Sequence, residues 1–416
     1  MNFILQNEVY FKILNEVRTP TGRISEPLYQ KYFYVLHYIN RCRLFDTDEY
    51  DLGVPMYYPV LEEILMLKPS KVSRILRWFV TNQVIVKVKN YSNGRSSSLY
   101  KLHPDMEVKQ IDFNRITDNE SRLVKKINLF HKRRNAKCGT TIIQEGIVFD
   151  KLTVSRKGRK YLAGKYPDLP IIREVNYSTI NPKDFYLASL YMGDRYCRRA
   201  ESTRRIYSTI TSMPSHLRKY LLLDGMPLMQ IDLKNAQILL SVPLIIKEYQ
   251  RKYGELCIIP DDILMFKELA ETGCFYEHVA FNAGIDVLGS VKREAFKEQF
   301  FKQIWYSKKR SWNSKLKTSF VDDFPNVWDA INSLKREDYR LFAINLQKFE
   351  AQIFIDEVLA ELYKRKITAL SIHDSIVITN VEDLYLAEEL LRRALLKHGL
   401  NPSFKIEGDE KYKIAS

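Results

Sequence analysis

The chain has 416 residues, which is enough for two or three domains with a core each. Lysine and arginine number 65 against 50 acidic residues, and the net charge of +15 favours a polyanionic partner, with nucleic acid as the first candidate. Five scattered cysteines without a CxxC pair, and no apolar run of the ~18–20 residues that a membrane span needs, argue against a disulfide framework, a zinc ribbon and a membrane protein. The N-terminus lacks the pattern of a signal peptide, so we expect an intracellular, cytoplasmic location.

The first part of the chain predicts three helices and a hairpin. Apolar residues at helical spacing predict helices over 28–45 and 58–67, and Pro69 marks the start of a third helix over 70–83. The runs IVKVK and LYKL flank the turn residues YSNGRSSS, which is typical of a β-hairpin. Three helices followed by a hairpin are the order of a winged helix.

A winged-helix-like domain over residues 1–105 would offer cations to nucleic acid. Its recognition helix would present Lys71, Arg74 and Arg77, and its wing would present Arg95. The alternative is a winged helix that serves packing or dimerisation and touches no nucleic acid.

Residues 106–190 are predicted to form a basic, helical, thumb-like connector. It contains two cation-rich stretches, Leu123–Lys137 and Val154–Lys165, in which aromatic residues alternate with cations. This mixture is typical of surfaces that follow a nucleic-acid backbone. A solvated helix face has a similar composition, so that interpretation stays open.

The third region, residues 191–416, carries five segments in a fixed order. They are TRRIYSTITSMPSHLRKYL (203–221), PLMQIDLKNAQILLS (227–241), VKREAFKEQFFKQIWYS (291–307), FAINLQKFEAQIFIDEVLAELYKR (342–365) and ITALSIHDSIVIT (367–379). The second predicts a strand that ends in Asp232, which places a carboxylate at a sheet edge where a metal can bind. The fourth predicts a long amphipathic helix. The fifth predicts a hairpin with His373 and Asp374 at its turn.

The third segment predicts a helix with chemistry on one face. Arg293, Lys297, Phe301 and Trp305 recur every four residues, so we expect them to line one face. Two cations followed by two aromatic residues suit a triphosphate at one end and a base at the other. Taken singly, a solvated helix face explains the cations equally well, a helix cap explains Asp232, and a structural turn explains the His-Asp pair.

In order, these segments resemble the palm and fingers of A-family DNA polymerases and of the related single-subunit phage-type RNA polymerases. The resemblance covers about half of the chain, from Arg195 to Tyr412. Residues 203–209 are similar to the TGRLSST segment of the family, Asp232 to its motif A aspartate, and His373-Asp374 to its motif C. The tail PSFKIEGDEKY is similar to the closing strand of the family.

The resemblance implies an α+β fold, with an antiparallel palm sheet and helical fingers after the winged-helix-like domain. It implies that Asp232 and Asp374 bind two Mg²⁺ ions. The resemblance to the fingers helix, motif B, implies that Arg293 and Lys297 hold the triphosphate and that Lys297 protonates the leaving group. It also implies that Phe301 stacks on the incoming base.

Further residues are expected around the nucleotide and the primer. Gln237, Trp305 and Tyr306 complete the predicted nucleotide site. The residues expected to contact nucleic acid in this region are Thr203, Arg205, Arg218 and His373.

The sequence also departs from the family pattern. Arg204 stands where the family has a glycine, and Trp305-Tyr306-Ser307 stands where it has Tyr-Gly. Gln237 lies five residues after Asp232, where DNA polymerases usually carry a glutamate that excludes a ribose 2′-hydroxyl. Ser375 follows the motif C aspartate, as in the RNA polymerases. Sugar choice therefore stays open, and no upstream segment resembles a proofreading exonuclease.

Three functions follow from these patterns. The first is a compact DNA polymerase that uses a DNA template, a primer and nucleoside triphosphates, with the minimal architecture of a mobile element or phage. The second is a primase or DNA-dependent RNA polymerase with the same palm. The third is a winged-helix replication initiator whose palm is inactive, against which the intact aspartates and cations argue.

Overall fold

The chain divides into two compact units in the computed structural model. Unit 1 comprises Met1–Lys137, Thr153–Tyr196 and Ser208–Leu221, and unit 2 comprises Cys138–Leu152, Cys197–Tyr207 and Leu222–Ser416. The structure describes residues 2–23, 26–45, 50, 53–90, 97–107, 111–115, 122–166, 182–191, 193, 195–307 and 314–408. Arg95 of the expected wing and the last four residues of the PSFKIEGDEKY motif lie outside these ranges.

Unit 1 begins with alternating helices and short strands. Its strands are β1 (Asn2–Gln6), β2 (Val54–Met56), β3 (Ile85–Lys89), β4 (Ser98–Leu102), β5 (Ile111–Arg115) and most of β6 (Leu152–Val154). Its helices are Asn7–Glu16, Glu26–Phe45, Tyr58–Leu65, Pro69–Thr81, Pro104–Glu107, Arg122–Lys137, Arg156–Lys165, Pro182–Tyr191 and Ser215–Arg218. The three helices predicted in the first 83 residues are confirmed, with ends that differ by one or two residues.

The predicted hairpin is also confirmed, as part of a three-stranded antiparallel sheet. The strand order is β2-β4-β3, with Ile85 opposite Leu102 and Val54 opposite Tyr100. The helix Pro69–Thr81 has a proline in its first turn, where the missing N–H leaves no helical hydrogen bond unmade. It buries one apolar face, formed by Val72, Ile75, Leu76 and Phe79.

In the region of the predicted basic connector, the structure has helices and two short strands, β5 and β6. Both cation-rich stretches fall on helices of unit 1, Arg122–Lys137 and Arg156–Lys165. The helix between them, Thr140–Asp150, belongs to unit 2. The domain boundaries at residues 105 and 190 stay predictions.

Unit 2 is built on an antiparallel sheet covered by helices. Its strands are β7 (Cys197–Arg199), β8 (Ile206–Ser208), β9 (Leu221–Leu223), β10 (Met226–Pro227), β11 (Met229–Leu233), β12 (Leu370–Ile372), β13 (Ser375–Ile378) and β14 (Phe404–Glu407). Its helices are Thr140–Asp150, Ala236–Tyr253, Asp261–Thr272, Phe275–Asn282, Ser290–Phe300, Lys315–Asp323, Pro325–Leu334, Tyr339–Ala351, Ala360–Lys364 and Val381–Leu396. The predicted α+β class is confirmed.

The central sheet of unit 2 has the order β12-β13-β11-β14, and every neighbouring pair is antiparallel. Alternate residues of β11, namely Met229, Ile231 and Leu233, are buried in the core of this unit. Because side chains alternate along a strand, Gln230 and Asp232 project from the opposite face. The sheet therefore places one polar face of β11 away from the core.

Two helices of unit 2 contain π-helical turns. The helix Ser290–Phe300 continues into a π-turn over Phe301–Trp305, and the helix Tyr339–Ala351 continues into a longer π-segment over Gln352–Leu359. A π-turn adds one residue to the helical repeat, so it shifts the side chains that follow onto a different face. Within the ranges described above, no helix combines the length and the apolar content required to span a lipid bilayer.

Candidate active site

Asp232 lies near the carboxyl end of β11. It stands opposite Ser375 of β13 on one side and opposite Lys405 of β14 on the other. β11 is an inner strand, so the edge of the sheet at which Asp232 lies is the one formed by the strand ends, beside the turn between β12 and β13. The neighbouring Gln230 side chain donates a hydrogen bond of 2.6 Å to its Oδ1 atom.

Asp374 lies beside the end of the same strand. The two-residue turn that joins β12 to β13 consists of His373 and Asp374, with Ile372 opposite Ser375. His373 has a φ of +53°, in the left-handed region that tight turns require. The backbone N–H of Leu233 donates to the carbonyl oxygen of Asp374 over 3.3 Å, which joins this turn to β11. The predicted hairpin with a polar turn is confirmed.

The electrostatic environment of Asp232 is unfavourable for a lone negative charge. The pKa of Asp232 is raised to about 6, first by burial and then by the nearby carboxylates of Glu407 and Asp374, while the Gln230 hydrogen bond and Lys405 lower it. A divalent cation would relieve this repulsion. The site thus pairs two aspartates at a position where added positive charge is stabilising.

The donor set fits Mg²⁺. Asp232 and Asp374 offer carboxylate oxygens, the ligands that Mg²⁺ prefers, and two protein carboxylates leave coordination positions for water and phosphate. Among the described residues, no cluster of three or more histidine, cysteine, aspartate or glutamate side chains is arranged to bind a metal.

The helix Ser290–Phe300, here called the cation helix, presents Arg293 and Lys297 above one tyrosine. The guanidinium carbon of Arg293 lies 5.5 Å from the centre of the Tyr276 ring, and the Lys297 ammonium lies 5.6 Å from it. Each cation also has a carboxylate partner, Glu277 for Arg293 at 2.5 Å and Glu294 for Lys297 at 2.8 Å. Both side chains are partly exposed, so they remain accessible to an anionic ligand.

The π-turn moves Trp305 off this face. The Tyr306 N–H donates to the carbonyl of Phe301 over 2.7 Å, a bond to the fifth residue back instead of the fourth. The carbonyl of Ile304 accepts a bond of 2.8 Å from the Lys335 ammonium. As a result, Tyr306 follows Phe301 along the face where the four-residue spacing predicts Trp305.

The prediction that Trp305 contacts the nucleotide is wrong for this structure. Its side chain is completely buried and packs against the rings of Phe266, Phe300 and Phe342, with centroids 5.3–6.2 Å away. A side chain without exposed surface is a core residue and cannot meet a ligand in this conformation. The contribution of Trp305 is to hold the π-turn against the core.

Phe301 and Tyr306 form an aromatic pair instead. Their rings are stacked at 5.4 Å with an angle of 15° between the planes. The ring centroids of Tyr276 and Phe301 are 6.3 Å apart in an edge-on arrangement, which links the pair to the ring beneath the two cations. The rings of Tyr276, Phe301 and Tyr306 therefore contact one another in a row that begins beneath the two cations.

Tyr306 leads into a buried polar network. Its hydroxyl donates to Gln237 Oε1 over 3.1 Å, and Gln237 Nε2 donates to Glu350 Oε2 over 2.8 Å. The same Glu350 oxygen accepts a hydrogen bond from Arg205. The carboxylate is 1% exposed. Burial raises the pKa of Glu350 to about 7, although Arg205 and Gln237 favour its charged form.

The segment that contains Thr203 and Arg205 forms a tight connection between β7 and β8. Arg204 has a φ of +61°, the left-handed conformation that a glycine adopts at least cost. Its carbonyl accepts a bond of 2.7 Å from Arg199 Nε, and Arg199 is held in turn by Asp356. Position 204 therefore has the left-handed backbone conformation typical of glycine, although the residue is an arginine. Its side chain is exposed.

The remaining predicted contacts are distributed over both units. In unit 2, Thr203 is half-buried and His373 packs edge-on against Tyr207, with ring centroids 6.4 Å apart. In unit 1, Arg218 Nε donates to the Met213 carbonyl over 3.3 Å. The three cations of the helix Pro69–Thr81, namely Lys71, Arg74 and Arg77, are exposed on the side opposite its buried face.

Sequence reasoning missed two residues of this site, Tyr276 and Glu350. No pattern around Tyr276 marks it as the ring beneath the cations. Glu350 did leave a signal, since it follows Phe342 and Leu346 at intervals of four residues, and all three are buried. A glutamate within an apolar helical stripe needs a buried partner, and Arg205 supplies it.

Neither a scan against protein-family models nor a search of curated proteins finds a match. Among solved structures, the chain is similar to the POL domain of Pol1 from M. smegmatis in complex with DNA primer-template and dNTP, with a TM-score of 0.37 and 15% sequence identity. The match covers 54% of this chain and 49% of that chain, so it spans about half of each protein.

Proposed function

We propose that the protein is a template-directed nucleotidyltransferase, and specifically a DNA polymerase. The observation that carries the proposal is the pair Asp232 and Asp374, which the sheet of unit 2 joins through the Leu233–Asp374 hydrogen bond. The resemblance of the five sequence segments to A-family polymerases supports it. The cations above Tyr276 and the stacked pair Phe301–Tyr306 support it further.

In this proposal the two aspartates bind Mg²⁺. When bound, the ions supply Lewis acidity to the attacking 3′-hydroxyl and to the departing pyrophosphate. Asp232 and Asp374 provide hard oxygen ligands and the negative charge that retains the cations. Phosphoryl transfer otherwise depends on alignment and on stabilisation of charge, which are tasks for the surrounding side chains.

Arg293 and Lys297 are the groups proposed to bind the triphosphate. Their charges lie on one helix face, one turn apart, and the Tyr276 ring below them limits where they can move. A triphosphate would replace the Glu277 and Glu294 carboxylates as their partner, because it carries more negative charge. Lys297 is also proposed to give a proton to the leaving pyrophosphate.

The aromatic pair and the buried network are proposed to hold the base and the sugar. Phe301 offers a half-buried ring face for stacking on the incoming base. Gln237, held between Tyr306 and Glu350, would meet the sugar at the position of the 2′-hydroxyl. Thr203, Arg205 and His373 would face the primer strand.

Unit 1 is proposed to bind duplex DNA through Lys71, Arg74 and Arg77. The helices and the sheet order β2-β4-β3 support a winged-helix domain, in which the helix before the hairpin meets the groove. All three cations are exposed on one side of that helix. In this proposal the unit contributes affinity and position, while unit 2 contributes chemistry.

Primer extension tests the proposal. The full-length protein is incubated with Mg²⁺ and a primed DNA template, with dNTPs in one reaction and NTPs in another, and each reaction is repeated on unprimed template. Templated incorporation of dNTPs that requires the primer supports a DNA polymerase. Synthesis from NTPs without a primer would replace it with the primase or RNA polymerase, and absence of incorporation in every reaction would refute the nucleotidyltransferase.

A further inference from the structure

Glu350 is the most deeply buried ionisable member of the network around Gln237. It lies on the helix Tyr339–Ala351, and its side chain is 1% exposed. In its charged form, which Arg205 and Gln237 favour, the Glu350 carboxylate only accepts hydrogen bonds, and its Oε2 atom accepts from both of them. Water has no access to replace either donor, so the partners of this oxygen are fixed by the protein.

This carboxylate determines which way the Gln237 amide points. Because Glu350 accepts, Gln237 must turn its NH₂ group toward it, as the 2.8 Å bond shows. The carbonyl oxygen of the same amide then faces Tyr306, whose hydroxyl donates to it over 3.1 Å. One buried charge therefore sets the direction of two successive hydrogen bonds.

These hydrogen bonds also fix Tyr306, which belongs to the stacked aromatic pair. Tyr306 is held at its hydroxyl by Gln237 and at its ring by Phe301, which is stacked on it at 5.4 Å. A tyrosine fixed at both ends has little rotational freedom. The network thus fixes the side chain of Gln237 together with the ring of Tyr306.

We propose that Glu350 is a positioning residue for sugar selection, which fixes the Gln237 amide and thereby the surface that the sugar of the incoming nucleotide meets. The inference rests on the proposed polymerase function and gives a role to a residue of the fourth segment for which the sequence pattern predicts none. Glu350 touches neither substrate nor metal in this account, and it acts through Gln237.

The substitution Glu350→Gln separates this role from simple packing. Glutamine has nearly the same shape, but its amide both donates and accepts, so Gln237 gains a second allowed orientation. The hydroxyl of Tyr306 then loses its obligatory acceptor. The site becomes a mixture of two arrangements, and discrimination against the 2′-hydroxyl should weaken.

The measurement is the ratio of kcat/KM for dNTP to kcat/KM for NTP on the same primed template, in full-length protein. We expect Glu350→Gln to lower this ratio about tenfold, the usual size for one specific polar contact. Glu145→Gln is the matched control, because Glu145 is equally buried in unit 2 but bonds to Ser371, and it should leave the ratio unchanged. A ratio in Glu350→Gln equal to that of wild type would overturn the inference.

A double variant tests the direction of the bonds. In Glu350→Gln with Gln237→Glu, position 237 becomes an obligatory acceptor, so Tyr306 again has a single partner to which it donates. The ratio should rise above that of Glu350→Gln alone. A double variant with a ratio as low as the single variant would assign the effect to general disturbance and overturn the positioning role.

The outcome stays decisive if Glu350→Gln does not fold. Tyr306→Phe removes the other end of the network and leaves the Arg205–Glu350 pair intact, and it should also lower the ratio. An unchanged ratio in Tyr306→Phe would overturn the inference. A wild-type protein that incorporates no nucleotide would refute the proposed function and this inference with it, which distinguishes that failure from an active enzyme with an unaltered ratio.

Discussion

The regions proposed for DNA binding and for chemistry hold their charges in different ways. In the helix Pro69–Thr81, Lys71, Arg74 and Arg77 are exposed, and within the described ranges no carboxylate lies at ion-pair distance from them. In unit 2, the partly buried Arg205 donates to the buried Glu350, which also accepts a hydrogen bond from Gln237. The first arrangement suits a diffuse partner such as a phosphate backbone, and the second suits a substrate that must be held in one geometry.

The cation helix combines both arrangements, because Arg293 and Lys297 are partly exposed and each is also paired with a carboxylate. It therefore gives the sharpest test of the comparison. Lys297→Ala should lower kcat for incorporation by about 10²–10³-fold, the usual loss for one positioned group that stabilises developing charge. Lys302→Ala is the control, since Lys302 is exposed and follows on the π-turn of the same helix. Single-turnover incorporation measures both, and equal rates would show that Lys297 belongs with the diffuse charges.

Gln237→Ala is expected to change sugar choice. The alanine removes the side chain that stands at the steric-gate spacing and empties the position between Tyr306 and Glu350. The discrimination between dNTP and NTP should fall by about 1–3 kcal/mol. The check is the ratio of kcat/KM for the two nucleotides in wild type and variant. If the ratio does not move, Gln237 is not the gate.

Glu145 predicts a pH dependence of stability. Burial raises its pKa to about 7 from an ordinary value of 4.5, although two hydrogen bonds from Ser371 favour the charged form. The folded protein therefore binds a proton that the unfolded chain has released, so this contribution to stability is present at low pH and is lost as the pH rises from about 4.5 to about 7.

The variant Glu145→Gln should lack this loss. The free energy of unfolding of wild type should fall by about 1–3 kcal/mol more than that of the variant between pH 5 and pH 8. Denaturant titrations at the two pH values measure the difference. Parallel changes in both proteins would show that the Glu145 carboxyl is not perturbed.

The smallest effect on chemistry is expected in unit 1. Replacement of Lys71, Arg74 and Arg77 by alanine in the full-length protein should weaken duplex binding at low salt. It should also reduce the slope of log Kd against log salt by about 1 for each phosphate that the protein no longer neutralises. Incorporation at saturating primed template should not change. A salt dependence identical to that of wild type would assign this helix to packing or dimerisation.

The parts of the site that the sequence predicts are those in which neighbours along the chain are neighbours in space. Asp232 lies near the end of its own strand, and the His373-Asp374 pair lies at the turn of its own hairpin, so local patterns located both. Trp305 was misplaced because the π-turn depends on packing and on a hydrogen bond from Lys335 to Ile304, 31 residues apart in sequence. Glu350 was missed because its partners Arg205 and Gln237 are 145 and 113 residues away in sequence.

The central claim is that phosphoryl transfer occurs at Asp232 and Asp374, and one comparison tests it most directly. Mg²⁺-dependent incorporation of a single nucleotide is measured for Asp232→Asn, Asp374→Asn and the control Asp224→Asn, whose carboxylate forms a partly exposed ion pair with Lys151 at 2.8 Å. The account predicts no detectable incorporation by the first two variants, because each lacks a metal ligand worth several kcal/mol to the barrier, and wild-type incorporation by the third. Primer-template binding should be retained by all three. Undiminished incorporation by either Asp232→Asn or Asp374→Asn would contradict the account.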